Sequence, residues 1–287
     1  MKKLVSTLAV AAVLFISNIT FAQEKTKESS LLWEVTGNGL AKPSYLFGTI
    51  HMICEKDFLL KEKVKKALLK SDQYIMEVNF DNEKEMKEMQ LALMSDIPLS
   101  KKLTVEKFNE LDSLLLSKYK ISAKQFDNYS LAMLVSLVTV KSFECDNLKL
   151  YEMELLKLAK TQNKLIGGLE TVKEQLECIN KTMDEEDVLE LLKNSNQYNQ
   201  MTKVMVENYK SEKFEALYDA MTVEKFMSAT DKKLMLDERN TNWVKNMPIM
   251  MKQKSTFYAV GAAHLAGDYG VVQLLKNAGF TVKPVMN

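Results

Sequence analysis

Ser44-Tyr45-Leu46-Phe47-Gly48-Thr49-Ile50-His51 is the stretch that decides the fold. Ser44 to Ile50 reads as a buried strand, entered from a turn at Lys42-Pro43. It ends in Gly-x-x-His. The same arrangement returns near the other end, where the strand-like Thr256-Phe257-Tyr258-Ala259-Val260 runs into Gly261-Ala262-Ala263-His264. The chain has only two histidines, and both stand in this context. A glycine there lets the backbone turn or approach closely as the strand ends. Each histidine then projects from the C-terminal edge of the sheet, where open α/β sheets bind ligands. A lone Gly-x-x-His recurs by chance, and two unrelated histidines are the simpler alternative. A shared site is preferred because histidine is used nowhere else.

Further strands are expected around this pair. Leu31 to Val35 alternates and opens a hairpin, and Tyr74 to Phe80 has β-branched character. Lys164 to Gly168 is a third short strand, and Phe280 to Val285 a last one. Helical spacing covers Phe58 to Leu69, and Asp81-Asn82 can cap a helix running to about Met94. Thr104 to about Lys160 and Asp184 to about Val244 are helix-rich. Leu111, Leu114, Leu115 and Tyr119 form one apolar stripe, and Tyr151, Leu155, Leu156 and Ala159 another. These stripes read as core contacts. The apolar run Leu131 to Val140 is too short to span a bilayer and reads as a buried helix. The expected architecture is α/β, with a central mixed sheet built from N- and C-terminal segments and flanked by helices. A helical insertion or cap covers about 104–250 of a single domain spanning 31–287.

Lys2 and Lys3, the apolar run from Leu4 to Thr20 and the small residue Ala22 mark residues 1–22 as a secretory signal peptide, cut near Ala22, with 23–30 as a linker. The expected location is therefore periplasmic or secreted, with no stable transmembrane anchor after cleavage. Removing residues 1–22 takes away two lysines and no acid, leaving 37 basic against 38 acidic residues. Such a balance has no broad electrostatic footprint for nucleic acid. The lysines at 61, 63, 65 and 66 read as a solvated helix face. Three cysteines leave at least one thiol over. Cys145 and Cys178 can pair if their helices meet. Cys54, three residues after His51, is either an extra ligand or, as preferred here, a half-buried thiol.

Two imidazoles in one place suggest a metal or an acid–base pair. Glu77 is the best companion, a charged residue inside the apolar Ile75-Met76-Glu77-Val78, although alternation also allows it to face water. Glu170, after Gly167-Gly168-Leu169, sits at another strand end, or serves equally well as an acid at a helix N-terminus. Arg239, in Asp237-Glu238-Arg239-Asn240, can pair with a buried carboxylate or hold an oxyanion, but a surface charge cluster is the preferred reading. No nucleophile elbow, phosphate-binding glycine loop or His-Glu-x-x-His helix is present.

Taken together, several blocks resemble the TraB/GumN family, related to the Tiki metalloproteases. They are Tyr45 to His51, Ser71 to Glu77, Gly168-Leu169-Glu170-Thr171 with Gln175, Glu238-Arg239-Asn240 with Trp243, and Gly261 to Gly270 with Leu274-Leu275 and Ala278-Gly279-Phe280. They fall in the family's order and span nearly the whole mature chain. The resemblance implies an α/β core and a divalent-metal hydrolase, with peptidase activity known for the Tiki branch. It implies that His51, His264 and Glu77 hold the ion (zinc, manganese or cobalt) and that Glu77, Glu170, Arg239 and Asn240 supply the catalytic surroundings. One of Glu77 and Glu170 would be the general base and Arg239 would stabilise negative charge, acting on a peptide or a small molecule. The rival expectations are a non-catalytic protein binding haem, a metal or a peptide in the same pocket, and metal-free acid–base catalysis by the histidines.

Overall fold

The computed structural model describes residues 29–225 and 227–287, so the leader at 1–22 and most of the 23–30 linker lie outside the described residues. The strands are β1 Leu32–Thr36, β2 Ser44–Thr49, β3 Met52–Cys54, β4 Gln73–Val78, β5 Leu148–Leu150, β6 Leu165–Glu170, β7 Thr256–Gly261 and β8 Thr281–Pro284. The helices before β7 in the first half are α1 Glu62–Lys70, α2 Glu83–Ala92, α3 Leu99–Lys102, α4 Val105–Tyr119, α5 Leu131–Ser142 and α6 Tyr151–Thr161. They are followed by α7 Val172–Thr182, α8 Glu185–Lys193, α9 Ser195–Lys210, α10 Phe214–Met221, α11 Ala229–Lys232, α12 Arg239–Gln253 and α13 Val271–Asn277.

Six strands form one mixed sheet in the order β6-β4-β7-β2-β1-β8. The first four run parallel to one another, while β1 pairs antiparallel with both β2 and β8. The sheet thus joins both ends of the chain, as expected. The edge strand β6 lies inside the 104–250 span, so part of that span builds the sheet itself.

Alternation along the central strands sorts side chains to two faces. Tyr45, Phe47, Tyr74, Met76, Phe257 and Ala259 point to one face, where α1 and α6 supply Val64, Leu68, Leu155 and Ala159. Leu46, Ile75, Tyr258 and Val260 point to the other, against Trp243 and Met247 of α12 and Val271 and Leu275 of α13. A separate helical core gathers Leu111, Leu115, Leu134, Val138 and Leu192 from α4, α5 and α8. Only one stripe of the apolar α5 is buried there, and Val140 is 38% exposed. No helix among the described residues is long and apolar enough to cross a membrane.

Two expectations change. The helix expected from Phe58 begins at Glu62 instead. Phe58 stacks against Tyr151 at 4.7 Å between ring centroids, and the Tyr151 hydroxyl donates to the Leu59 carbonyl at 3.1 Å. This tertiary contact holds the segment out of the helix despite its spacing. The cysteines also pair differently. Cys54 is bonded to Cys145, and Cys178 is the free thiol. The reason is topological: β3 carries Cys54 beside β5, with Cys54 opposite Leu148, while Cys178 lies on α7 next to β6. Cys54 is therefore not a candidate ligand.

Candidate functional site

The C-terminal ends of the four parallel strands deliver the site in spatial order. Glu170 ends β6, Glu77 lies near the end of β4, Gly261 ends β7 with His264 just beyond, and His51 follows β2. Glu77 points to the face opposite Met76, and that face is covered by α12 rather than by water. Its side chain is 8% exposed. Local alternation could not decide this, because the cover comes from a helix that begins 162 residues further along the chain.

Both Gly-x-x-His glycines serve close approach rather than a turn, since neither has a positive φ. A Cβ on Gly48 would stand 2.7 Å from Leu265 Cδ1 and 3.1 Å from Ala262 Cα. A Cβ on Gly261 would stand 3.3 Å from both Glu77 Oε1 and His51 Nε2, and 3.5 Å from His264 Cδ2. The missing side chain of Gly261 is thus the space over which both imidazoles and the carboxylate converge.

Each histidine is oriented through Nδ1. The Asn240 amide nitrogen donates to the carbonyls of His264 and Tyr269, so its oxygen must accept from His264 Nδ1, at 2.6 Å. That leaves His264 Nε2 as an acceptor, 3.2 Å from Arg239 Nη1 and 3.8 Å from Glu77 Oε1. His51 Nδ1 donates to Glu152 Oε1 at 2.9 Å, and the Thr49 hydroxyl donates to the same oxygen at 2.6 Å. His264 is buried and stacks on Trp243 at 4.5 Å, whereas the His51 side chain is 58% exposed.

Arg239 ties the carboxylates together. Its Nη2 donates to Glu77 Oε2 at 2.7 Å and to Glu170 Oε1 at 2.5 Å, and Nε donates to both Glu170 oxygens at 3.2 Å. Nη1 also reaches the Met235 carbonyl at 2.9 Å. Gln175 bridges Glu77 and Glu170, and Trp243 Nε1 donates to Glu170 at 3.1 Å. The Gly261 N–H donates to Glu77 Oε1 at 2.6 Å. Arg239 and Asn240 are buried, which corrects the preferred surface reading of 237–240. Glu238 keeps the solvent side, while the half-buried Asp237 pairs with Lys232. A π-helical stretch, Lys233–Glu238, leads directly into Arg239 and aims it at the sheet.

The electrostatics follow from this packing. Burial alone would raise the Glu77 pKa. The imidazole of His264, the Arg239 guanidinium, His51 and the Gly261 N–H more than offset it and hold Glu77 at about 2. Burial pulls His264 down to about 3, against the attraction of Glu77, so this ring is neutral at physiological pH. With that ring neutral, Arg239, His51 and the Gly261 N–H carry the Glu77 stabilisation at neutral pH. Desolvation of the inner edge of His51 would lower its pKa, but Glu152 more than offsets this and raises it to about 9. Water at the exposed edge screens part of that attraction. Burial raises Glu170 although Arg239 opposes it.

His51, Glu77, Glu170, Arg239, Asn240 and His264 therefore stand together. Glu152 was not anticipated. Its signal was available, since Leu155, Leu156 and Ala159 follow it at i+3, i+4 and i+7, placing a carboxylate on an apolar stripe. Only tertiary pairing shows what it meets. The Tyr151 N–H donates to the His51 carbonyl at 3.3 Å, and the β3–β5 ribbon with its Cys54–Cys145 disulfide clamps the start of α6 against the segment after His51. Replacing both cysteines by serine is expected to cost about 2–4 kcal/mol in denaturant unfolding, because the bridge closes a long loop. An unchanged midpoint would show that the bridge carries no such constraint.

A parallel-edge α/β site holding two oriented imidazoles and a buried Glu–Arg–Glu network defines the class of this protein. The TraB/PrgY/gumN family model matches residues 31–284, and the chain belongs to that family. No curated protein and no solved structure matches the chain.

Proposed function

We propose that the protein is an exported divalent-metal-dependent hydrolase acting on a peptide or related acyl bond, with His51, His264 and Glu77 holding the cation. The observation that carries this reading is the pair of oriented rings. Each has an oxygen acceptor at Nδ1, which is the arrangement that directs Nε2 toward a metal. His264 Nε2 lies 3.8 Å from Glu77 Oε1, and His51 Nε2 and Glu77 Oε1 both border the space left by Gly261. Nitrogen and carboxylate donors suit zinc, manganese or cobalt alike. Among the described residues no three such side chains already stand at metal-ligand spacing. His264 Nε2 can face either the Arg239 Nη1 proton or a cation, not both.

When bound, the cation supplies Lewis acidity and makes a water acidic near neutral pH. The chain's own groups divide the remaining work. Glu77, ionised and central, is the carboxylate able to hold the cation. Glu170 accepts from Arg239, Trp243 and Gln175, which leaves it to anchor Arg239 rather than to act as base. Arg239 and Asn240 are positioning residues, because their donors are already engaged by protein acceptors. The disulfide supports export, since such bonds persist in oxidising compartments.

Elemental analysis of the mature protein tests the metal reading. Wild type is expected to retain a divalent cation and His51→Ala/His264→Ala to lose it. Equal metal in the two proteins would sink the reading. One observation favours a second reading: the Arg239 proton on His264 Nε2 leaves His51, backed by Glu152, as a metal-free acid–base group. Peptide-library cleavage that survives chelation would select it. A visible band on adding haem, lost in His51→Ala, would instead point to a binding protein.

A further inference from the structure

A cavity of about 350 Å³ opens beside His51 and Glu77. Its walls are Val78, Phe80, Met86, Met89, Leu150 and Met153. Its polar groups, His51, Glu77, Glu152 and Gln175, belong to the site itself. Larger cavities of about 450 and 570 Å³ lie elsewhere, and neither contains His51, Glu77 or Glu152. The small cavity therefore combines an apolar chamber with convergent reactive groups, the composition expected of a ligand pocket.

We propose that this chamber seats one apolar side chain, of leucine, methionine or phenylalanine size, from a peptide whose adjoining bond lies over His51 and Glu77. The inference rests on the hydrolase reading and adds its substrate class. Volume permits it, since about 350 Å³ lies at the lower end of ligand cavities and has ample room for one such side chain. Chemistry argues for an apolar one. The walls carry no charge, and the carboxylates of Glu77 and Glu152 disfavour an acidic group. Three methionines make the walls adaptable in shape, since the thioether chain is flexible and polarisable. Met86 and Met89 come from α2, which has no fully buried residue, so this wall can adjust to different apolar groups. The disulfide-clamped ribbon and the start of α6 hold Leu150 and Met153 on the opposite side.

The test uses the full mature chain with ¹³C-methyl methionine, followed by NMR during titration with capped tripeptides. Acetyl-Ala-Leu-Ala-amide and its Phe and Met counterparts are expected to move the Met86, Met89 and Met153 methyls to saturation. The Asp and Lys counterparts should bind roughly ten- to a hundredfold more weakly, and the core methyls of Met247 and Met251 should stay still. Met89→Trp, which fills the chamber, should abolish the shifts, while Met89→Leu should keep them at Met86 and Met153. Equal responses to apolar and charged peptides, or none at these methyls, would overturn the proposal even if peptide cleavage were found. Selective saturation without any cleavage would uphold the pocket and remove the hydrolase reading instead.

Discussion

Arg239→Met is expected to destabilise the protein by about 3–5 kcal/mol, because it leaves Glu77 and Glu170 buried without their shared cation. For a chain of this size that corresponds to roughly 10 °C in the unfolding midpoint. The same change frees His264 Nε2 and removes the guanidinium stacked 4.9 Å from the Trp243 ring. Methionine conserves much of the apolar stem, so the loss reports charge and hydrogen bonding more than volume. Adding Glu170→Met should recover part of the deficit, since one of the uncompensated carboxylates is then gone. A double variant no better than the single would show that packing, not stranded charge, sets the cost.

The deficit should also depend on pH in a definite direction. Burial already raises Glu170, with Arg239 opposing. Without Arg239 its folded-state pKa rises further above the unfolded value. Such a carboxyl is protonated in both states at low pH and costs nothing there. The penalty grows as pH rises from the unfolded pKa and is complete above the folded one. The gap between wild type and Arg239→Met, measured by denaturant unfolding, should therefore narrow on acidification. A gap that widens toward low pH would contradict the assignment.

Glu152→Gln is the second large expected effect. It retains a hydrogen-bonding side chain but removes the charge behind His51 Nδ1. Removing an oriented partner of this kind typically weakens cation affinity by about 10–100-fold, and equilibrium dialysis of zinc against the variant measures it. With two histidines in the chain, NMR of chelator-treated protein resolves each ring. His51 should titrate well above 6.5, toward 9, and fall in Glu152→Gln, while His264 remains neutral down to acid pH. The stability sign follows. A histidine whose folded pKa is raised contributes stability that is fully present below about 6.5 and is lost as pH rises through about 9. The variant should lack that slope. An unchanged His51 titration would mean that Glu152 does not hold the proton.

Much of this protein is legible in its sequence because strands, caps and glycine contexts are local. The near-continuous apolar runs Tyr45 to Thr49 and Thr256 to Val260, with a Gly-x-x-His after each, identify the strands and the paired histidines. Glu77 stands out because a carboxylate inside an apolar strand needs a partner. The partners themselves are not local. Arg239 reads as a surface charge until α12 is laid over β4, and only then do Glu77 and Glu170 prove to be its buried acceptors. Glu152 reads as one acid among several until the β3–β5 ribbon brings α6 to His51. Cys54 reads as a free thiol or ligand until that ribbon sets it beside Cys145. Periodicity reports which face of an element is apolar, so strands, stripes and strand-end histidines could be read from the chain alone. Which element covers that face depends on strand order across the sheet, and this tertiary choice decided the carboxylates' partners, the orientation of both rings and the apolar chamber beside them.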